Sequence, residues 1–141
     1  MASLVDTNVL VYRFDPRFPE KQARSEELLR EGIRSDSIRI SHQAVVEFVA
    51  AVARPTREGP PLLALDEARR EAEELLKQFV VLYPNEELVR LALRGAGAYQ
   101  LHWFDAHMWA YAEYYALDTL LSEDFQPERI YGTVRVKNPF A

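Results

Sequence analysis

The chain has no cysteine, only three lysines (Lys21, Lys77 and Lys137) and five glycines, and nowhere an apolar run near the length that crosses a bilayer. Without cysteine there are no disulfides, no thiolate metal sites and no thiol nucleophile. A Gly-rich phosphate loop and a G-x-S-x-G elbow are also missing, which removes two common routes to phosphate binding and acyl transfer. With neither a spanning segment nor a basic-then-apolar leader, the expectation is a cytoplasmic protein with no membrane partner. A formal net charge of −5 argues against coating nucleic acid by bulk positive charge, while leaving room for a local basic strip. Fourteen of the 17 basic residues are arginine, whose rigid fork suits phosphate. That bias reads better as the mark of a GC-rich or thermophilic source.

What is present fits one globular domain over residues 1–141, long enough to bury a core. Strand-like and helix-like segments alternate, as in a parallel sheet with helices on its faces. ASLV (2–5), SIRIS (37–41), FVVLY (79–83), DTLLS (118–122) and YGTVRV (131–136) read as strands, the last at a sheet edge. Helices are expected over 20–33, entered at Pro19 and stopped near Gly32, and through Ala53, capped by Ser41. Others are expected from Asp66 to Phe79, from Asn85 with fraying at Gly95 and Gly97, and from about Asp105 to Ala116. RPTREGPP (54–61) is a loop.

Against this background, several acids stand out. AVVEFVAAVA (44–53) is apolar at every position but Glu47. Asp6 stands alone in SLVDTNVLVY, directly after the first strand. Burying an unpaired carboxylate is costly unless it is protonated, meets a cation or holds a metal. Asp105, in HWFDAHMWA, falls at a helix start; Asp124, in LLSEDF, falls two residues past a strand. Taken singly, Asp105 reads as a helix cap and Asp124 as a turn residue. Together all four point towards the carboxyl end of the sheet, where open α/β proteins place their functional crevice. Hard oxygen donors without cysteine or paired histidines select Mg²⁺ or Mn²⁺ over zinc. The chemistry of such a site is activation of water and stabilisation of charge on a phosphoryl oxygen. His42, His102 and His107 show no metal-ligand spacing and read as cap, surface or packing residues.

VDTNVLVY, ISHQAVVEFVAAV, HWFDAHMWAYAEYYALDTLLSEDF and YGTVRVKNPF, in that order, resemble the PIN-domain nucleases, most of all the VapC-type toxins of toxin–antitoxin pairs. The resemblance implies a three-layer α/β/α sandwich around a parallel sheet of four to five strands. It places the family's acidic quartet on Asp6, Glu47, Asp105 and Asp124. It implies that Asn8 holds a carboxylate in place and that Ser122 sits beside the metal-bound water. The implied activity is an Mg²⁺- or Mn²⁺-dependent endoribonuclease leaving 5′-phosphate and 3′-hydroxyl ends, with a cognate antitoxin and a homodimer as partners. Arg13, Arg17, Arg54 and Arg57 are candidates for RNA contact on the rim.

Two other enzyme or signalling readings, and one non-enzymatic one, compete. An aspartyl-phosphate-type phosphatase wants a second Asp two residues after the first, where this chain has Asn8. A receiver-like signalling domain is disfavoured on the ground that no lysine follows a late strand. A non-catalytic PIN-fold protein-binding module would use the aromatic surface of WAYAEYYAL. There Trp109 is expected in the core, with Tyr111, Tyr114 and Tyr115 left over for a second copy or an antitoxin.

Overall fold

The computed structural model describes residues 2–141. Six short strands form one sheet: β1 (Ser3–Val5), β2 (Ile38–Ser41), β3 (Val80–Leu82), β4 (Thr119–Leu121), β5 (Ile130–Tyr131) and β6 (Val134–Lys137). Their order across the sheet is β3-β2-β1-β4-β6-β5. All neighbours are parallel except β5, which runs antiparallel to β6 at the edge. The described residues also form six helices: α1 (Thr7–Tyr12), α2 (Pro19–Ser35), α3 (His42–Ala53), α4 (Leu65–Gln78), α5 (Glu86–Tyr99) and α6 (Trp103–Tyr114). The architecture is the expected three-layer one. One layer is α6, packed on β1, β4 and β6 with α5 beside it; the other is built through α1–α2, α1–α3 and α3–α4 contacts.

The central strands are apolar because both faces are covered. Leu4, Val5, Ile40, Leu120 and Val136 are wholly buried. The chain reverses between β1 and β4, so the crevice at their carboxyl ends is where an open sheet of this kind places its chemistry.

The sheet has six strands where four to five were expected, because YGTVRV is not one strand. Gly132 takes a left-handed backbone (φ 62°) and turns the chain back between Tyr131 and Val134. Positive φ at the first of two turn residues is the geometry that favours glycine there. The Glu113 carboxylate accepts from the Thr133 N–H (3.0 Å) and hydroxyl, pinning the turn to α6. Three helices also differ at their ends. α2 runs on to Ser35 and stops at Asp36, which is left-handed (φ 52°). α5 does not fray at its glycines but continues to Tyr99, since the Trp109 ring packs where a Gly95 side chain would be. α6 starts at Trp103 and ends at Tyr114, so Asp105 lies in its first turn and His102 is at the cap position. The expected Ser41 cap is present, its hydroxyl accepting from Ala44 N–H at 2.9 Å.

Candidate active site

Asp6 leaves β1 at the middle of the sheet, and its N–H extends the ladder to the Leu121 carbonyl (3.0 Å). It caps α1: Oδ1 accepts from the Thr7 N–H at 2.7 Å. Oδ2 accepts from the Ser122 hydroxyl at 2.6 Å. The residue is only 5% exposed. Burial pushes its carboxyl up to about 7; the Ser122 and Thr7 hydrogen bonds oppose this, and the charges of Asp124 and Asp105 add to it. Two acids from distant parts of the chain therefore face Asp6 closely enough to repel it.

Asp105 is half-buried and also held above the usual carboxylate range. Burial is the main cause, then Asp124; His102 opposes, and Glu47 adds to the rise. Glu47 hangs from α3, with Oε1 accepting from the Thr7 hydroxyl (2.6 Å) and Oε2 from the Gln43 amide (3.3 Å). Asp124 is exposed, and its N–H donates to the Ser122 Oγ at 3.0 Å. The four expected acids thus share one electrostatic neighbourhood at the carboxyl ends of β1 and β4. Among the described residues, none of the four makes an ion pair with lysine or arginine.

Geometry limits how an ion could be held. Among the described residues, no three carboxylate or imidazole groups converge closely enough to grip one ion unaided. Mg²⁺ does not need such a cage, because it usually takes one or two carboxylates and keeps several waters. Three features suit such a guest: a buried carboxylate without a cation, mutual repulsion among its neighbours, and the buried Asn8 Oδ1, which has no hydrogen-bond partner among the described residues. The donor set fits a hydrated hard cation.

A family model for the PIN domain matches residues 3–132 of the chain. The chain belongs to the PIN-domain family. No curated protein matches it. Solved structures share the fold of this PIN domain at low identity. FitAB bound to a DNA fragment superposes with TM-score 0.71 at 21% identity, over 99% of this chain and 96% of that one. VapBC2 from Rickettsia felis, bound to a DNA fragment from its promoter, gives 0.70 at 14%, over 98% of each. VapC20 from Mycobacterium tuberculosis, described as a sarcin–ricin-loop-cleaving toxin, gives 0.61 at 13%, over 87% and 90%.

Around the acids, this PIN domain arranges the polar residues more tightly than its sequence shows. The Ser122 hydroxyl donates to Asp6 and accepts from Asp124 N–H and the Asn8 amide (3.4 Å), so its proton is committed to a carboxylate rather than to a water. Asn8 acts on Asp6 through Ser122. Thr7 was not anticipated; it touches Asp6 through its backbone and Glu47 through its hydroxyl. Glu123, next to Asp124 in the chain, is part-buried. It accepts from Tyr12 (2.5 Å) and Lys21 (2.9 Å), tying the segment that carries Asp124 to α1 and α2.

The four arginines expected to contact RNA separate into two pairs. Arg17 is locked to the buried Asp15 (2.9 and 2.8 Å) and to Glu58 (2.9 Å), and Arg13 is half-buried in a cleft with Glu26 and Glu71. Neither is a free surface cation. Arg54 and Arg57 are exposed and make no ion pair among the described residues.

The exposed aromatic surface of α6 extends to both of its ends. Trp109 is in the core and Tyr114 and Tyr115 are exposed, as expected, but Tyr111 is wholly buried, while Phe104 is 66% exposed and Trp103 40%. The ground for setting aside a receiver-like domain also changes, since Lys137 closes the late strand β6. The family match now decides that question. Among the described residues, no helix is long and apolar enough to cross a membrane.

Proposed function

We propose that this PIN domain is an Mg²⁺- or Mn²⁺-dependent endoribonuclease acting as the toxin of a toxin–antitoxin pair. The observation that carries the reading is Asp6: a buried carboxyl raised to about 7, facing Asp124 and Asp105 with no cation paired to it. Such a group is stable as an anion only when positive charge arrives. Bound there, a divalent cation would supply Lewis acidity at a phosphoryl oxygen and lower the pKa of an attacking water.

The chain's own residues do the rest. Asp6 and Asp105 would hold the cation, with Glu47 and Asp124 completing the site directly or through bound waters. Ser122 and Thr7 fix the Asp6 rotamer, and Thr7 with Gln43 fixes Glu47. Asp124 is exposed, and its carboxylate makes no hydrogen bond among the described residues, which leaves it free to orient a water and take up its proton. Arg54 and Arg57 grip RNA phosphates at the rim.

The RNA substrate is supported by the shared fold with a toxin described as cleaving the sarcin–ricin loop, and the partner by the shared fold with VapBC and FitAB. An antitoxin arginine placed among the four acids would occupy the cation's position through bidentate carboxylate contacts. A homodimer rests on the family likeness alone. In a cleavage assay, wild type should cut single-stranded RNA with Mn²⁺ and stop on chelation, and Asp6→Asn should be inactive with its fold retained. Full activity of that variant would overturn the assignment.

A further inference from the structure

The segment after β4 runs Ser122, Glu123, Asp124, Phe125, and three of these four side chains are tied down. Ser122 is bonded to Asp6, and Phe125 is buried with its ring 5.7 Å from that of Tyr131. Glu123 is gripped at both oxygens: Oε1 accepts from the Tyr12 hydroxyl (2.5 Å) and Oε2 from the Lys21 ammonium (2.9 Å). Only the Asp124 carboxylate makes no hydrogen bond among the described residues. The groups that hold Glu123 are themselves fixed. Tyr12 is the last residue of α1, whose first turn is capped by Asp6. One short helix therefore grips this segment at two consecutive residues, Ser122 through Asp6 and Glu123 through Tyr12. The Lys21 ammonium, from α2, lies over three rings, 4.8 Å from the centre of Tyr12, 5.6 Å from Phe18 and 5.7 Å from Phe140. Such distances allow each ring face to attract the cation. Phe18 and Phe140 pack edge-on against Tyr12 at 5.7 and 5.1 Å. Lys21 also donates to the Tyr12 hydroxyl (3.3 Å), which closes a ring of three polar groups. An exposed ion pair holds its geometry poorly. This one is sheltered, with Lys21 and Glu123 side chains 36% and 20% exposed.

We infer that Tyr12 and Lys21 are positioning residues for Asp124, which they hold in place by clamping Glu123 beside it. The inference rests on the ribonuclease reading and adds two residues outside the four acids that set its rate. A carboxylate that works from a loop must be held to about 0.5 Å by the residues around it. Asp124 has no side-chain bond of its own to do this, so its neighbours must. Its charge reaches both Asp6 and Asp105, so a shift of Asp124 changes the whole site. The clamp has a second effect. Lys21 neutralises Glu123, and the two bonds turn that carboxylate towards α1 and α2. Released from them, Glu123 would place an uncompensated charge next to Asp124 and repel it.

The test compares wild type with Lys21→Met, Tyr12→Phe and Lys21→Arg. The methionine keeps an apolar stem over the rings and removes the charge; the arginine keeps the charge. In the metal-free proteins, amide hydrogen exchange at residues 123–125 should quicken in Lys21→Met and Tyr12→Phe, while the amides of β1 and β4 keep their protection. Lys21→Arg should restore slow exchange. In cleavage of single-stranded RNA with Mn²⁺, Lys21→Met should lower kcat by roughly 10- to 100-fold, as loss of a ligand-orienting partner does elsewhere. KM should stay nearly unchanged, because Asp124 orients water and does not grip RNA, and Lys21→Arg should recover kcat. If local exchange and kcat both stay at their wild-type values, the clamp is a surface ion pair only and the inference falls. If exchange quickens equally throughout the chain, the clamp is a general stabiliser and the inference falls as well. If wild type cuts no RNA, the ribonuclease reading fails, and the exchange comparison still decides whether the clamp holds Asp124 in place.

Discussion

At Asp6 a single proton couples stability to binding. Its folded pKa, about 7, lies above the unfolded value near 4, so the native state keeps a proton that the unfolded chain releases. Without metal, stability is therefore greatest below about pH 4, as far as this group is concerned, and falls as pH rises to about 7, by an amount on the order of 4 kcal/mol. Asp105 shifts in the same direction. Urea melts in EDTA should show a lower midpoint at pH 8 than at pH 5, and Asp6→Asn should remove much of that difference. A midpoint rising with pH would contradict the raised carboxyl. Ser122→Ala takes away a hydrogen bond that favours the Asp6 anion. It should weaken Mn²⁺ binding by roughly 10- to 100-fold, as loss of a ligand-orienting partner does elsewhere, in a calorimetric titration. Asp6 and Glu47 were legible in the sequence because each interrupts an apolar run. Thr7 and Lys21 were not: their partners lie 40 and 102 positions away, and no local pattern encodes such pairs.

Among the elements, β1 to β4 and five of the six helices follow from hydrophobic patterning, which is strong where a strand is covered on both faces or a helix shows one. α1 escapes it, since six residues make too few turns to show a period. The β5–β6 hairpin escapes because a single glycine breaks what reads as one alternating run. Gly95 shows how packing overrides propensity. Alanine in a helix interior is favoured over glycine by about 1 kcal/mol. Here the added methyl would strike the buried Trp109 ring, and overpacking of that kind costs about 1–3 kcal/mol. The net expectation is that Gly95→Ala lowers the urea midpoint. Because Trp109 lies one turn past Asp105 on α6, it should also weaken Mn²⁺ binding. A stabilised variant would show that the ring moves aside freely.

For the molecule as a whole, a net charge of −5 and an acidic site mean that RNA must be drawn in by few cations. Arg54 and Arg57, on the loop after α3, are unpaired among the described residues. If both contact phosphates, replacing them with alanine should reduce the slope of log affinity against log salt by roughly 1.4, at about 0.7 per phosphate on a single strand. An unchanged slope would place the contacts elsewhere. The fold's topology explains why such distant acids come within electrostatic reach of one another: β1 and β4 are neighbours, and both end at the crevice that α3 and α6 overlook. Direct binding of Mn²⁺ to the purified chain, followed by electron paramagnetic resonance between pH 6 and 8, tests this convergence without needing a substrate. Binding should tighten as pH rises, because a proton on Asp6 competes below about 7, and it should weaken in Asp6→Asn and in Asp105→Asn alike. Mn²⁺ binding that ignores pH and both substitutions, or no binding at all, would contradict it.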